Sequence, residues 1–399
     1  MKLLHVISKT DPESGGPIEA ILRISVVLIR EGHEAAVVSL EEEGEVAHRN
    51  FPFPLIGLGR GTKPYSYNPR LASWLKQNAR NFDVVVLHGL WNYTSFGAWR
   101  SLRDGSTPYY IFAHGMMDPW FRERYPLKHL AKQAYWTLAE GRVLSGARSV
   151  LFTCEEERLR ARGVFKGYPY REAVAQLGTA DPHRESAAQT AAFGAATPAL
   201  ENRNFLLYIG RIHPKKGCDL LIRAFAGVAS QFRPDLQLVM AGPDEVGWSL
   251  ELQQLAEKLG IASRIHWPGM LKGDAKWGAF RAADAMILPS HQENFGFVVA
   301  EAMACSTPVL ISNKVNIWRE VRASEAGLVE PDTAEGTSNL ICRFYAQSSE
   351  QREWMTRNAR TGFLRYFDIE ATAHRFAEVI GFPNEPVPAR SPDALEPAI

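Results

Sequence analysis

The feature that most constrains the fold of this sequence is a regular alternation between short apolar runs and longer amphipathic runs. Runs such as Asp83-Val-Val-Val-Leu-His88 and Ala285-Met-Ile-Leu288 are apolar throughout their interiors. Strands that are apolar on both faces are typical of parallel sheets with helices on each side. The sequence therefore predicts an α/β chain built from doubly wound, Rossmann-like sheets.

The alternation runs twice along 399 residues, a length that favours two cores over one. The pattern fails near residues 178–203, where the sequence is small, polar and aperiodic. We predict an N-terminal Rossmann-like domain (1–180), a linker (181–203), and a C-terminal Rossmann-like domain (204–365). A C-terminal helix (366–382) is expected to pack back on the N-terminal domain. The Pro-rich tail (383–399) is expected to be disordered.

Charge and cysteine content narrow the class of protein. The 45 Lys and Arg nearly balance the 44 Asp and Glu, which argues against a nucleic-acid-binding protein. The four cysteines are widely spaced and form no C-x-x-C pair, as expected of reduced thiols in a cytoplasmic protein. No run of 18 apolar residues occurs, so we expect no membrane span.

Two glutamates, Glu293 and Glu301, flank the start of a predicted helix that follows a buried strand. The intervening turn contains Gly296. A strand, a glycine turn and a helix start together form an anion site, because backbone N–H groups at a helix start lack partners within the helix. Carboxylates beside such a site suit a ligand that carries hydroxyls as well as phosphates. This combination indicates a sugar nucleotide.

Two further loops follow predicted strands. In Gly210-Arg-Ile-His-Pro-Lys-Lys-Gly217, Arg211 can bind a pyrophosphate with two parallel hydrogen bonds and Lys216 adds a second positive charge. The alternative is an ordinary exposed basic loop. In Asp11-Pro-Glu-Ser-Gly-Gly-Pro17, paired glycines allow close approach to a ligand. An ordinary turn explains that loop equally well, and it lacks the full G-x-G-x-x-G motif.

Two predicted strands end in His-Gly, at His88 and at His114. A histidine on a buried strand is more often a core residue than a catalyst. At the carboxyl end of a strand, however, it can hydrogen-bond a phosphate or a sugar. Metal binding is disfavoured, because no close set of His, Cys or Asp residues accompanies them.

These stretches together resemble the retaining glycosyltransferases of family 4, which have the GT-B fold. The matching motifs are Ser14-Gly-Gly-Pro17, His114-Gly-Met-Met-Asp-Pro-Trp120, Gly210-Arg211 with Lys216-Gly217, and Glu293 with Glu301 in an E-x₇-E frame. The two histidine motifs are similar to those of a subgroup from bacterial polysaccharide clusters. The resemblance implies two domains that face each other across a cleft, with the acceptor on the N-terminal domain and the nucleotide sugar on the C-terminal one.

The resemblance also implies roles for individual residues. Arg211 and Lys216 would hold the donor diphosphate and stabilise the leaving group. Glu293 would contact the transferred sugar, Glu301 would bind the ribose, and His114 would assist at the sugar or phosphate. The remaining donor contacts would come from Gly15 and Gly16 at the glycine loop, Met270 and Leu271 near the base, and Asn294, Phe295 and Gly296. Acceptor-side candidates are His88, Asp118 and Trp120.

The implied reaction transfers a sugar from a UDP- or GDP-linked donor to an acceptor hydroxyl with the anomeric configuration kept. The enzyme would be of the hexosyltransferase type and would need no metal or other cofactor, because cationic side chains and a helix start replace the divalent ion. The acceptor would be a glycan or lipid-linked oligosaccharide of exopolysaccharide, O-antigen or capsule synthesis. The alternatives are a sugar-nucleotide epimerase of similar architecture and a non-catalytic two-domain sugar-binding protein.

The stretch from Phe121 to Trp136 mixes basic and aromatic residues. Such a stretch fits contact with an anionic bilayer near a lipid-linked acceptor, at the cytoplasmic face of the inner membrane. It equally fits an amphipathic helix with a solvated basic face. Two features depart from the family pattern. Before the linker, Gln176-Leu-Gly-Thr-Ala-Asp181 stands where the family often has a Pro-Asn-Gly-Val-Asp turn. Ser306 stands where glycine commonly precedes Thr-Pro-Val, at the end of the predicted helix.

Overall fold

A computed structural model describes residues 1–11, 15–182, 186–200, 203–232 and 235–381. The chain forms two compact units. Unit 1 comprises residues 1–153, 157–177 and the segment from 369 onward, and unit 2 comprises residues 154–156 and 178–368. The predicted tail 383–399 and Ser14 of the glycine loop lie outside the described residues.

Unit 1 contains a seven-stranded parallel sheet with the order β3-β2-β1-β4-β5-β6-β7. Its strands are β1 (Lys2–Ile7), β2 (Glu34–Ser39), β3 (Leu55–Gly57), β4 (Val84–His88), β5 (Tyr109–Phe112), β6 (Val150–Phe152) and β7 (Glu172–Val174). Its helices are α1 (Gly16–Arg30), α2 (Glu43–Ala47), α3 (Pro69–Asn78), α4 (Tyr93–Leu102), α5 (Trp120–Arg124), α6 (Pro126–Tyr135), α7 (Gly141–Gly146) and all but the first two residues of α8 (Glu155–Ala161).

Unit 2 contains a six-stranded parallel sheet with the order β10-β9-β8-β11-β12-β13. Its strands are β8 (Phe205–Ile209), β9 (Gln237–Ala241), β10 (Ile265–Gly269), β11 (Ala285–Leu288), β12 (Val309–Ser312) and β13 (Gly327–Glu330). The helices that follow α8 are α9 (Ser186–Ala196), α10 (Cys218–Phe232), α11 (Ser249–Lys258), α12 (Gly273–Ala282), α13 (Phe297–Ala304), α14 (Trp318–Ala323), α15 (Ala334–Tyr345), α16 (Ser349–Tyr366) and α17 (Ile369–Val379).

The prediction of two Rossmann-like α/β domains is confirmed, because both sheets are parallel and doubly wound. Burial on both faces explains their apolar strands. In unit 1, Ile7, Ile18 and Val37 belong to a cluster on one side of the sheet, while Leu4, Val85 and Ile111 belong to the larger cluster on the other. The last helix, α17, lies in unit 1, where Glu370 pairs with Arg30 at the end of α1.

The stretch predicted as a linker, 181–203, contains the helix α9, which belongs to unit 2. This helix packs closely on α12, because a Cβ added at Gly278 would lie 2.0 Å from the carbonyl oxygen of Gln189. The buried amide of Gln189 also accepts a hydrogen bond of 2.7 Å from Arg281. The small residues of this stretch therefore allow α9 to pack closely on α12. They show no apolar period, so the sequence pattern did not predict this helix.

Two details concern the ends of helices. The helical stretch that begins with α6 is interrupted by a π-helical turn at Trp136–Glu140, where the side chain of Trp136 is buried. Ser306, just beyond α13, has a φ of 63°. It thus adopts the left-handed conformation that glycine usually provides at a helix end, as its place in the family pattern suggests. None of the helices in the described residues is long and apolar enough to cross a bilayer.

Candidate functional site

In unit 2 the strand order reverses between β8 and β11, which lie side by side. Ligands of doubly wound sheets bind beyond the carboxyl ends of the strands at such a reversal. The basic loop that begins at Gly210 follows β8, and the loop that carries Glu293 follows β11. The topology therefore brings together two motifs that lie about 80 residues apart in the sequence.

Gly217 determines how closely these two loops approach. It has a φ of 67°, and a Cβ at this position would lie 2.3 Å from the carbonyl oxygen of Pro289. A hydrogen bond of 2.8 Å from the backbone N–H of His291 to the carbonyl of Lys215 ties the loops further. Only a glycine allows both the positive φ and this contact. The close approach lets Lys216 pair with Glu293, and both side chains are largely buried.

Glu293 is held by its backbone beside the start of α13. Its N–H donates to the carbonyl of Lys314 at 3.0 Å, and its carbonyl accepts from the N–H of Asn316 at 3.1 Å. Gly296 caps α13 with a φ of 79°, and its carbonyl accepts a hydrogen bond of 2.8 Å from the N–H of Val299 in the first turn. This corner of unit 2 therefore combines a lysine, a carboxylate and the start of a helix, a set that suits a phosphate next to hydroxyls.

Glu301 lies on the buried side of α13, with only 2% of its surface exposed. An ordinary surface carboxylate does not fit this burial. Its carboxylate accepts from the Nζ of Lys276 on α12 at 2.8 Å. Lys276 was missed in the sequence, because no motif marks it and the pair joins two different helices.

Arg211 lies at the exposed edge of the same loop. Its guanidinium pairs with Glu245 at 3.1 Å, with 57% and 46% of the two side chains exposed. Its carbonyl oxygen accepts a hydrogen bond of 2.7 Å from the hydroxyl of buried Tyr208, which anchors the loop. Glu245 was also missed in the sequence. An exposed pair of this kind is readily exchanged for a phosphate.

The other donor-side residues of unit 2 lie on neighbouring segments. Met270 and Leu271 directly follow β10; Met270 is exposed and Leu271 is buried. Phe295 is buried against Phe297 and Phe367, so only its backbone remains for a ligand. Asn294 is partly buried within the same loop.

In unit 1 the strand order reverses between β1 and β4. The glycine loop follows β1, and Gly15 caps α1 with a φ of 96° and with open space where a Cβ would lie. The loop is held at its base by buried Glu41, whose carboxylate accepts from the backbone N–H and the hydroxyl of Thr10 at 2.6 and 2.8 Å. Glu41 in turn pairs with Arg49 at 2.9 Å. Sequence reasoning missed this support.

His88, the last residue of β4, and His114, two residues beyond β5, lie side by side. His88 Nδ1 lies 2.9 Å from His114 Nε2, and His88 Nε2 lies 2.9 Å from Nδ1 of His5. His88 is buried and both of its ring nitrogens have partners, so the expected contact with an acceptor does not fit its position. His114 is partly exposed. His5 was missed, because a single polar residue in an apolar strand looks like an ordinary core position.

Asp118, expected on the acceptor side, is buried in an ion pair. Its carboxylate accepts from Arg160 at 3.0 and 3.3 Å and from the backbone N–H of Trp120 at 2.8 Å. It therefore holds the start of α5 in place, and its role on the acceptor side stays a prediction. Trp120 is partly buried and meets the rings of Phe121 and Tyr125 edge-on.

Burial and neighbouring charges shift several pKa values. Burial lowers the pKa of His5 and of His114 to about 3, and burial together with its two imidazole neighbours places the pKa of His88 well below its usual range. In unit 2 the effect is opposite for His291, where a hydrogen bond from its ring to Asp332 raises the pKa. In the described part of the chain, no three His, Cys, Asp or Glu residues cluster in a way that would hold a metal ion.

Two family models match most of the chain. The model described as "Glycosyl transferase 4-like domain" matches residues 15–178, and the model described as "Glycosyl transferases group 1" matches residues 192–362. A D-inositol 3-phosphate glycosyltransferase of Actinosynnema mirum is 30% identical over 355 residues, which cover 82% of this chain and 80% of that protein. Another, from Acidothermus cellulolyticus, is 31% identical, but that match spans only about half of each chain, 51% and 50%.

Solved structures share the fold at low sequence identity. Anabaena HepE, solved in complex with UDP and glucose, has a TM-score of 0.72 and 19% identity, with 95% of this chain and 99% of that chain covered. A glycosyltransferase from Rickettsia africae has a TM-score of 0.77 and 15% identity, with 95% and 97% covered. These structures support the architecture of the two units.

Proposed function

The chain belongs to the GT4-like glycosyltransferases, and we propose that it is a retaining enzyme that transfers a sugar from a nucleotide-diphosphate sugar to an acceptor hydroxyl. The observation that carries the proposal is the pair of Lys216 and Glu293 at the strand reversal of unit 2, beside the start of α13. The lysine suits a diphosphate, and the carboxylate suits the hydroxyls of a sugar.

Each donor-side residue has a proposed role. Lys216 and Arg211 exchange their carboxylate partners for the diphosphate, which frees Glu293 to orient the sugar. Glu301, kept in place by Lys276, accepts hydrogen bonds from the ribose. Met270 lies next to the base, and the backbone of residues 294–296 contacts the sugar and its phosphate. Gly15, Gly16 and His114 of unit 1 serve the diphosphate and the sugar, as in the family.

The proposed step forms a bond between the acceptor oxygen and the anomeric carbon while the bond from that carbon to the diphosphate oxygen breaks. The electron pair of the broken bond goes to the diphosphate, and a departing phosphate oxygen takes the acceptor proton. Lys216, Arg211 and the first turn of α13 stabilise the developing charge, so no divalent ion is required. On this view Glu293 orients the sugar and does not attack it.

Nucleotide binding followed by product analysis tests this function. Titration calorimetry with UDP, GDP and free glucose identifies the nucleotide, and UDP is the first choice because Anabaena HepE was solved with it. Nucleotide release is then followed with the matching sugar donor and candidate acceptors, including D-inositol 3-phosphate and a lipid-linked saccharide. We expect nucleotide-dependent transfer with the anomeric configuration kept, as read by proton NMR of the product.

Three results would contradict the proposal. Interconversion of the donor into its epimer without nucleotide release would indicate an epimerase. Binding of free sugar without nucleotide would indicate a sugar-binding protein. A product of inverted configuration would exclude the retaining mechanism.

We further propose that the acceptor is presented at a membrane surface. Leu127 and Leu130 on α6 and Leu138 just beyond it are 81%, 65% and 71% exposed. Their spacing keeps them on one side of the helix, and Arg122 and Lys128 are exposed nearby. Exposed leucines flanked by positive charge fit the headgroup region of an anionic bilayer. This geometry favours a lipid-linked acceptor over a small soluble one.

Flotation with vesicles tests the membrane contact. We expect the protein to float with phosphatidylglycerol vesicles and not with phosphatidylcholine vesicles, and the double variant Leu127→Ser/Leu130→Ser to stay at the bottom of the gradient. Leu250→Ser is the matched control, because Leu250 is 65% exposed on unit 2. Equal flotation of the double variant and the control would show that these leucines do not contact the membrane.

A further inference from the structure

A chain of hydrogen bonds runs through unit 1 and ends at His114. Because β1, β4 and β5 are neighbours in the sheet, His5, His88 and His114 lie next to one another. The two N···N distances are both 2.9 Å. At the inner end, the hydroxyl oxygen of Ser25 on α1 lies 3.4 Å from Nε2 of His5. We call these four residues the histidine chain.

The histidine chain is closed at its inner end and open at its outer end. Ser25, His5 and His88 are buried, whereas His114 is partly exposed. Phe112 stacks on both outer rings, with its centroid 5.5 Å from that of His88 and 5.0 Å from that of His114, and so fixes their planes. Since Ser25 has no exposed surface, a proton has no outlet there. The chain is therefore suited to orient His114 and not to conduct protons.

The geometry also restricts the protonation of each ring. His88 uses its two nitrogens on two different neighbours, so the three rings do not converge on one point as metal ligands would. A charged imidazole in this buried setting would be costly. With neutral rings, each N···N contact contains one proton, and the tautomer of every ring depends on that of the next.

The hydrogen bond of Ser25 determines which of the two possible sets of tautomers the histidine chain adopts. Among the residues that the structure describes, His5 is the hydrogen-bond partner recorded for the side chain of Ser25. A buried hydroxyl with one partner satisfies its proton by donating it. Ser25 then donates to His5 Nε2, His5 Nδ1–H donates to His88, and His88 Nδ1–H donates to His114 Nε2. The proton of His114 must then lie on Nδ1.

We propose that Ser25, His5 and His88 are positioning residues that hold His114 as a neutral donor, with Nδ1–H available to an oxygen of the bound substrate. The proposal rests on the proposed function in that His114 serves the sugar or phosphate. A neutral donor can hydrogen-bond a substrate oxygen without competing with the positive charges of Lys216 and Arg211 for the diphosphate.

Nitrogen NMR of selectively ¹⁵N-histidine-labelled protein tests the proposal without any substrate. We expect His114 as the Nδ1–H tautomer in the parent protein. In Ser25→Ala the terminal donor is lost, and we expect a shift of His114 toward Nε2–H. With the identified donor and acceptor, kcat should fall about tenfold while the donor KM stays within about twofold, since one transition-state hydrogen bond is weakened.

Two further variants separate positioning from folding. Ser25→Thr keeps the hydroxyl and should restore both the Nδ1–H tautomer and kcat. Ser39→Ala is the matched control, because Ser39 is another buried serine of unit 1 that lies outside the histidine chain. Thermal midpoints confirm that each variant folds. An Nε2–H tautomer of His114 in the parent protein, or an unchanged kcat in folded Ser25→Ala, would overturn the proposal. The NMR result stands even if the protein transfers no sugar.

Discussion

Both units contain the same reversal of strand order, but the side chains near the reversal are charged in unit 2 and are neutral imidazoles in unit 1. In unit 2 full charges occur in pairs, with Lys216 and Glu293 on the loops beyond β8 and β11 and Lys276 and Glu301 on the nearby helices α12 and α13. In unit 1 the corresponding region holds neutral imidazoles joined to one another. The shared topology therefore determines only where in each sheet these polar side chains gather. The residues at the strand ends decide whether it presents charge or uncharged hydrogen-bond donors.

Among substitutions at the charged site of unit 2, Lys216→Ala is expected to reduce activity most. The change removes a cation proposed to stabilise the leaving diphosphate and leaves largely buried Glu293 without its partner. We expect kcat/KM to fall at least about 100-fold. Initial rates of nucleotide release measure this loss, with the neighbouring Lys215→Ala as the matched control. Similar rates for the two variants would show that the position of Lys216 is unimportant.

A milder test of the charged side is Glu301→Gln, which keeps the shape of the side chain but removes the charge next to Lys276. We expect the donor KM to rise about tenfold with kcat changed less than about threefold, because a ribose contact acts equally in the ground and transition states. Saturation kinetics with the nucleotide sugar measure this, and Glu335→Gln on the exposed start of α15 is the control. A drop confined to kcat would contradict a ribose-binding role.

The neutral histidines of unit 1 are tested by measuring how the stability of the protein changes as the pH falls. The pKa of His5 is about 3 in the folded protein and about 6.5 when unfolded. The unfolded state thus binds more protons below pH 6.5, and stability is lost as pH falls from there toward 3. Each such histidine contributes up to about 1.4 kcal/mol per pH unit.

Urea unfolding at pH 7 and pH 5 measures this loss in the parent and in His5→Gln. The variant should lose less stability between the two pH values. Carboxylates such as Glu41, whose pKa is lowered by hydrogen bonds from Arg49 and Thr10, contribute equally to both proteins and cancel in the difference. The same pH dependence in both would mean that His5 is not held neutral.

The smallest effect is expected for Glu245→Ala. Glu245 and Arg211 are both well exposed, and exposed pairs contribute less than about 1 kcal/mol. Freeing Arg211 should tighten nucleotide binding by no more than about twofold, with the gain reduced at high salt. Calorimetric titration at two salt concentrations measures it. A loss of affinity above about tenfold would show that Glu245 itself contacts the ligand.

Part of the site could be predicted from the sequence for a physical reason. Parallel strands end at the same edge of a sheet, so motifs that follow apolar runs must gather there, and Lys216 and Glu293 were found in this way. The residues that support these motifs could not be predicted in this way. Lys276, Glu41 and His5 acquire their roles from elements far away in the sequence, and each looks ordinary in its own segment.

The sequence by itself determined the α/β class, the positions of most strands and the turn that carries Glu293, because apolar runs and glycines act locally. Only the tertiary structure decided which charges pair, that α9 belongs to unit 2, and that His88 lies behind His114. Side-chain partners depend on the packing of distant elements, and burial turns a polar residue of a strand into one link of a hydrogen-bonded chain.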